Sequence, residues 1–308
     1  MEIRQLRYFV RIADLGSVSR AAEALHVAQP ALSQQVAQLE SELGQPLLVR
    51  RSTGVHMTEQ GEVFYRHAQR ILRELADVAG AVQQAGSQPC GSVALGLPQS
   101  TASHYAMPLL AALRAQHPGI EVEFFDEISG NLLQGVSSGR LDLAVLVNDE
   151  HAALLQAEPL LEETLYLVSR PELAPAQATV PLASLAQYPL ALPGHTQGVR
   201  DLLERALQAQ GASLPPPRVL ANSMSIMRQA ALAGLAHCVM PWAAIHEDLA
   251  RGTLKATPTE PPLSRRAHLC AARDAALTLA GQAVRRLLRE TVRQRVQSGE
   301  WPGVRLLP

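Results

Sequence analysis

The chain has 308 residues, an apolar content of 47% and a formal net charge of -1. This length suits about two domains and the apolar content is enough for compact cores, which excludes a disordered or fibrous protein. No run of eighteen apolar residues occurs and the N-terminus carries charges throughout, so we predict a protein that is neither secreted nor embedded in a membrane.

Three short helices are predicted at the start of the chain. Apolar residues at i, i+3, i+4 and i+7 predict the first helix, which Gly16 ends: Leu6, Phe9, Val10 and Ala13. A second helix follows over about 19–26. Pro30 suits the first position of the third, because its missing N–H is not needed there. Two helices joined by a tight turn in this way are typical of a helix-turn-helix.

The third helix carries a face of uncharged, hydrogen-bonding side chains. Ser33, Gln34 and Gln38 lie opposite its apolar positions, and Gln29 lies just ahead of it. A glutamine amide can both donate to and accept from an adenine edge in the DNA major groove, so we interpret this as a recognition helix. The alternative is an ordinary solvated helix face.

A two-stranded wing is predicted next. The sequences LLVR and VHMT form short strands around a Ser-Thr-Gly turn, with Arg50 and Arg51 at the tip. Arginines beside a recognition helix can contact phosphates and add salt-dependent affinity.

A long helix is predicted from Thr58 onward. Its apolar residues step by 4 and 3 in turn, which is a heptad seam through which two copies can pair: Phe64, Ala68, Ile71, Leu75, Val78 and Val82. The alternative is that this seam packs on the chain's own body. DNA-reading helices work in two-fold pairs, which favours dimerisation.

Beyond a break at 86–92, strand and helix patterns alternate. Strands are predicted over 92–97, 120–125 and 141–146, and a second series over 165–169, 190–192, 218–221 and 237–241. A late strand over 267–272 and a long helix over about 275–297 could return to the first series. This pattern predicts two α/β lobes with largely parallel sheets, joined by crossovers near 163 and 266, and a ligand site between them.

Polar residues follow several of these strands where helices begin. Helix starts offer N–H donors that suit an anion, so a carboxylate is one candidate effector. The candidate contacts are Ser100, Thr101, Ser129, His195, Thr196 and Asn222. Each of them could instead be a helix cap.

No motif for catalysis, for a cofactor or for a metal occurs, so no enzyme is predicted. The three cysteines form no CxxC pair, which favours a reducing compartment, the cytoplasm, and structural thiols. A solute-binding module is the rival class, but the predicted helix-turn-helix and the absence of a signal-peptide pattern disfavour it.

The sequence resembles the LysR-type transcriptional regulators, most plainly in LRYFVRIADLGSVSRAAEALHVAQPALSQQVAQLESELGQPLLVRR followed by TEQG. The resemblance implies that Gln29, Pro30, Ser33 and Gln34 lie at base-contacting positions, and that the wing from Arg50 to Thr53 touches DNA. It also implies a two-lobed effector domain resembling periplasmic solute-binding proteins, and homodimers or dimers of dimers.

We therefore predict an all-α winged helix-turn-helix over 1–58, a linker helix over 59–88 and a two-lobed α/β effector-binding domain over 89–308. Lobe I comprises about 91–163 and 267–308, and lobe II about 164–266. The predicted partners are duplex DNA, a small-molecule effector and a second copy of the chain, with RNA polymerase as a further candidate. A regulator that needs no effector is the alternative within this class.

Overall fold

A computed structural model describes residues 1–52, 54–83, 89–148, 154–194, 198–273 and 276–308. Within the helix over 59–83 it leaves the side chains of 73, 74, 76, 77 and 79–83 undescribed. In the described part of the chain, no helix combines the length and apolar character needed to cross a bilayer.

The N-terminal unit consists of four helices and a two-stranded wing. They are α1 (Ile3–Leu15), α2 (Val18–Ala24), α3 (Gln29–Leu43), β1 (Leu48–Arg51), β2 (Gly54–Met57) and α4 (Glu59–Gln83). Its centre is a small apolar core in which Phe9, Ile12 and Leu32 are at most 1% exposed. Gly16 and Gly44 end α1 and α3 in the left-handed conformation that favours glycine, so the turns lie where the sequence allows them.

The C-terminal part contains the remaining helices and strands. The helices are α5 (Ala102–Gln116), α6 (Ser129–Ser137), α7 (Gly198–Ala209), α8 (Met224–Leu232), α9 (His246–Arg251) and α10 (Leu279–Gln297). The strands are β3 (Gly91–Pro98), β4 (Ile120–Glu127), β5 (Leu143–Val147), β6 (Gln156–Ser169), β7 (Val180–Pro181), β8 (Leu190–Leu192), β9 (Val219–Leu220), β10 (His237–Pro241), β11 (Lys255–Thr257), β12 (Thr259–Glu260), β13 (Leu263–Ala271) and β14 (Val304–Leu306).

One sheet runs through both lobes in the order β4-β3-β5-β13-β6-β10-β8-β9, and β11 and β14 also pair with β6. The strands β4, β3 and β5 are parallel to one another, as are β10, β8 and β9. The predicted fold class is therefore confirmed. The centre is different, because β6 and β13 pair antiparallel with each other over their length and connect the lobes.

Helices cover both faces of the sheet in each lobe. In lobe I, α5 and α10 pack together on one face and α6 packs on the other. In lobe II, α7 packs on Leu165 and Leu167, and α8 packs on Val168. Because successive strand residues point to opposite faces, α7 and α8 lie on opposite sides of the sheet. This places the loops after the parallel strands of both lobes around one cleft.

Candidate DNA interface and interlobe cleft

The recognition helix α3 presents the predicted polar face to solvent. Gln29, Gln34 and Gln38 are exposed and Ser33 is half-buried, whereas the opposite face is buried through Leu32, Val36 and Leu39. Pro30 is exposed and occupies the second helical position, because the helix begins one residue earlier than predicted, at Gln29. Amide and hydroxyl groups therefore line the outer face of α3.

The turn before α3 orients its first glutamine. Ser17 caps α2 by accepting from the Arg20 N–H at 3.4 Å. The Ser19 hydroxyl donates to Gln29 Oε1 at 3.2 Å, which engages the amide oxygen of this exposed side chain and leaves its amide nitrogen as the donor. A partly fixed side chain loses less conformational freedom when it contacts a base.

The wing is pinned at its base to the rest of the unit. Glu40 Oε1 accepts from the N–H groups of Leu47 at 2.6 Å and Leu48 at 3.0 Å, which ties the start of β1 to α3. The Val55 N–H donates to the Gly16 carbonyl at 3.0 Å. A Cβ on Gly54 would lie 2.7 Å from that same oxygen, so this position requires glycine. The wing is therefore held against the end of α1.

Arg50 and Arg51 are both exposed near the wing tip, opposite Val55 and Gly54. Successive strand residues point to opposite faces, so the two guanidinium groups leave the wing on different sides. Thr53 lies outside the described residues.

The linker helix α4 approaches the start of the wing very closely. A Cβ on Gly61 would collide with the Leu47 carbonyl oxygen. The Thr58 hydroxyl donates to the Pro46 carbonyl at 2.7 Å and accepts from the Gly61 N–H at 2.9 Å. The glycine in TEQG is thus a packing requirement.

The predicted dimer seam needs correction at its start. The Phe64 ring packs edge-on against Phe9, with centroids 5.0 Å apart, and Ala68 is 1% exposed. Ala68 is therefore buried within the chain itself and Phe64 is half-buried there, because α4 packs on α1. Farther along, Leu75 is half-buried, whereas Ile71 is 41% and Val78 53% exposed. The Val82 side chain lies outside the described part.

The interlobe cleft lies where the strands of the two lobes end. Its lining comes from the loops after β3, β4, β5, β8 and β9, from α8 and from β13, and it is mostly apolar. The lining residues are Pro98, Gln99, Ser100, Glu127, Ile128, Ser129, Val147, Ala191, Leu192, Pro193, Gly198, Val199, Asn222, Met224, Met227, Val239 and Arg265. The cleft has a volume of about 70 Å³, far below the roughly 300–1,000 Å³ of typical ligand pockets.

Ser100 is the predicted effector contact with the most developed surroundings. Its hydroxyl accepts from Arg265 Nη2 at 2.7 Å, and the same guanidinium lies 2.6–2.7 Å from Glu163 Oε1. All three side chains are at most 5% exposed. Burial, followed by the nearby Glu163 carboxylate, raises the pKa of Tyr105 well above its usual value. The tyrosine is therefore a neutral neighbour of this buried ion pair.

The other predicted effector contacts are placed differently from one another. Ser129 lines the cleft at the start of α6, and Asn222 lines it while accepting from the Gly194 N–H at 2.7 Å. Thr101 is 1% exposed and lies outside the lining, so this prediction is corrected: it is the N-cap residue of α5, and its side chain is buried in lobe I. His195 and Thr196 lie outside the described residues.

Sequence reasoning missed three residues of this region. Arg265 and Glu163 lie on the crossover strands, and Asn148 Nδ2 donates to the Gly198 carbonyl at 3.0 Å, which joins lobe I to lobe II. A glutamate inside the apolar strand LLEETLYLVS was the available signal for the buried pair. Asn148 is a non-glycine residue with a φ of 74°, which the sequence does not reveal.

The two buried cysteines are unsuited to thiol chemistry. Burial raises the pKa of both Cys238 and Cys270 to about 12, so both are protonated thiols at neutral pH. Reactive cysteines need thiolate character, and these two pack in the sheet.

Comparison with known proteins assigns both parts of the chain. Residues 3–62 match the bacterial regulatory helix-turn-helix protein, lysR family, and residues 86–293 match the LysR substrate binding domain. The nitrogen assimilation regulatory protein nac of Klebsiella aerogenes is 39% identical over 245 residues, 78% of each chain.

Solved structures share the fold. A cysteine variant of full-length OxyR from Pseudomonas aeruginosa aligns with a TM-score of 0.71 at 24% identity, covering 95% of both chains. Full-length CbnR, solved in complex with its target DNA, aligns with a TM-score of 0.64 at 22% identity, covering 96% of this chain and 99% of that one. This chain belongs to the lysR family of bacterial regulatory helix-turn-helix proteins.

Proposed function

We propose that this regulator reads duplex DNA through the outer face of α3 and holds the duplex through the wing arginines. The observation that carries this is the exposed, uncharged face of Gln29, Ser33, Gln34 and Gln38 beside Arg50 and Arg51. Amides and hydroxyls match base edges, whereas guanidinium groups match phosphates. The protein acts in the bacterial cytoplasm by binding DNA, and not as an enzyme.

A two-fold dimer supplies the second recognition helix, and a pair of dimers extends the site. Ile71 and Val78 of α4 are large, apolar and exposed, which supports pairing through this part of the linker helix. Sedimentation should find at least a dimer for the parent chain and a smaller species for Ile71→Glu. A monomeric parent would contradict this assignment.

The test of DNA reading compares Gln34→Ala with Arg50→Ala and Arg51→Ala on duplexes selected from a random pool. Gln34→Ala should cost about 1–3 kcal/mol on the preferred base and little elsewhere, because one bidentate base contact is lost. Each arginine variant that removes a phosphate contact should weaken all duplexes alike and lower the salt slope by about one. Equal weakening of every duplex by Gln34→Ala would indicate that Gln34 contacts the DNA phosphate backbone and not a base.

We further propose that a small molecule binding between the lobes modulates this DNA contact. Ser100, Ser129 and Asn222 line the cleft from both lobes, and the buried Arg265 offers a charged donor. A carboxylate could replace Ser100 as the partner of Arg265. The cavity of about 70 Å³ holds only a very small ligand, so a larger effector requires the lobes to separate.

The same small cavity favours a second candidate, a regulator that acts without an effector in this closed form. A thermal-shift screen of carboxylates on the parent and Ser100→Ala distinguishes the two. A ligand that stabilises the parent and not the variant supports the cleft site. A ligand that stabilises both equally places the site elsewhere, and a screen without ligands supports effector independence.

A further inference from the structure

A broad groove rich in arginine lies on lobe I, away from the interlobe cleft. It has a volume of about 830 Å³ and combines five arginines with one glutamate and four uncharged residues. The arginines are Arg273, Arg285, Arg286, Arg289 and Arg293. The whole chain has a net charge of -1, so this density of positive charge is local.

Helix α10 presents four of these arginines, all but Arg273, because its other face is buried. Val284, Leu287 and Leu288 pack in the core of lobe I at no more than 1% exposure. Arg285, Arg289 and Arg293 follow one another at intervals of four residues, so they form a stripe along the helix. The fold therefore aligns the guanidinium groups on one exposed ridge.

Acidic side chains neutralise this ridge only in part. Glu158 pairs with both Arg285 and Arg289, and Glu290 lies 3.8 Å from Arg286. Arg273 donates to the Leu155 carbonyl at 3.4 Å. Arg293 is exposed and pairs with no acidic side chain in the described ranges. The Arg286–Glu290 pair is exposed and the two Glu158 pairs are only half-buried, so solvent screens all three and the guanidinium groups remain able to exchange partners.

A second groove continues the positive surface onto the linker helix. It has a volume of about 460 Å³ and contains Arg66, His67 and Arg70 of α4 together with Arg273. Arg273 lines both grooves. We call the continuous surface of Arg66, Arg70, Arg273, Arg285, Arg286, Arg289 and Arg293 the arginine band.

The extent of the arginine band favours a long polyanion over a small ligand. The band crosses two grooves and two parts of the chain, and it joins the helix that leaves the DNA-binding unit. DNA carries one negative charge for about every 1.7 Å of its axis, which gives a row of phosphates such a band can follow. Arginine also binds phosphate oxygens through paired donors.

We propose that the arginine band binds the phosphate backbone of duplex DNA outside the segment read by the recognition helices. The inference rests on the proposed DNA-binding function and extends it, because it gives the effector domain a direct contact with flanking DNA. The band adds affinity without adding base specificity.

The experiment compares two duplexes that share one operator selected by the full chain. The short duplex covers only the half-sites, and the long duplex adds about two helical turns on each side. The variant Arg286→Glu/Arg293→Glu reverses two exposed charges of the band. Arg218→Glu/Arg251→Glu is the matched control, because these arginines are also exposed but lie outside the band. Equal melting temperatures establish that both variants fold.

The parent should bind the long duplex more tightly and with a steeper salt slope than the short one. The band variant should lose roughly ten-fold or more in affinity for the long duplex and about two units of salt slope, while the short duplex is unaffected. The control variant should retain the parent's long-to-short ratio of affinities.

Other outcomes overturn the proposal. Equal loss on both duplexes, or no loss on either, would exclude a contact with flanking DNA. Binding of the short duplex by the parent would still support recognition of the half-sites. Inorganic tripolyphosphate that stabilises the parent but not the band variant, with both duplexes unaffected, would identify a small-anion site instead. Failure of the full chain to select any operator from a random pool would refute the proposed function itself.

Discussion

On the recognition helix the glutamines face solvent, whereas in the interlobe cleft Ser100, Glu163 and Arg265 are at most 5% exposed and bond to one another. The first arrangement leaves donors and acceptors available to a partner. In the second arrangement, a ligand must compete with hydrogen-bond and ion-pair partners that the protein itself already supplies. The DNA interface is thus open before binding, and the cleft must exchange internal bonds to respond.

This difference has an energetic consequence. Removing an exposed DNA-contacting side chain should change DNA binding and leave folding almost intact, because surface substitutions usually change stability by less than about 0.5 kcal/mol. Removing one member of the buried group should change folding first, because a charge is left without compensation in the interior. The following predictions test this contrast, and they are arranged by expected effect.

The largest effect is expected for Glu163→Ala. Among the residues that the structure describes, it leaves Ser100 as the remaining partner of the buried Arg265 guanidinium. Breaking a buried pair in this way costs about 3–5 kcal/mol of unfolding free energy. Urea unfolding measures this loss of unfolding free energy. Glu247→Ala, which breaks the exposed pair with Arg251, is the control and should cost less than about 1 kcal/mol.

The double variant Glu163→Leu/Arg265→Met sharpens the same point. Replacing both charges by apolar groups should recover most of the loss, because no uncompensated charge remains. If Glu163→Ala costs no more than Glu247→Ala, the buried pair does not set the stability of the lobe junction.

The next effect is expected for Gly61→Ala in the DNA-binding unit. The added methyl group meets the Leu47 carbonyl, so α4 must shift, at a cost of about 2–4 kcal/mol and with loss of DNA affinity. Gly44→Ala is the control: nothing lies within 4 Å of its Cβ, and only the left-handed conformation is strained, by about 1–2 kcal/mol. Equal effects of the two substitutions would show that the close approach at Gly61 does not matter.

A smaller, pH-dependent effect is expected from His104 of α5, which lies beside His246, Trp242 and Trp301. Burial, then the charges of His246 and Arg295, lower its pKa to about 4. The unfolded chain binds the proton below pH about 6.5 and the folded chain does not, so stability should fall by roughly 2 kcal/mol between pH 6.5 and 4.

The His104→Phe variant isolates this contribution. It removes the titration while retaining an aromatic ring, so its unfolding free energy should vary less with pH over that window. Urea unfolding at three pH values compares it with the parent. Identical pH profiles would contradict the assignment to His104.

The contrast between the two regions also sets what the sequence could predict. Spacing along one helix identified the face of Gln34 and Gln38, because helical periodicity fixes which side chains lie together. The fold class followed from alternating strands and helices. Glu163 and Arg265 are 102 residues apart, and no periodicity relates residues at that distance.

Two further errors had local causes. Heptad spacing does not tell which neighbour covers a side chain, so Phe64 was assigned to a dimer seam although Phe9 of the same chain covers its ring. Thr101 lies at a helix start as predicted, but the residue before it, Ser100, is the one that faces the cleft. Both residues precede the first helical residue, Ala102, so helical periodicity does not fix which of their side chains faces the cleft.

The close packing of Gly61 on Leu47 couples α4 and the wing, so the two move as one rigid unit. The helix has 25 residues, which gives an arm of about 37 Å at 1.5 Å per residue. A tilt of about 10° at the far end would therefore displace the wing by roughly 6 Å, close to the rise of two base pairs along DNA at about 3.4 Å each. A small reorientation of the effector domains is thus enough to move the DNA contacts by whole base pairs.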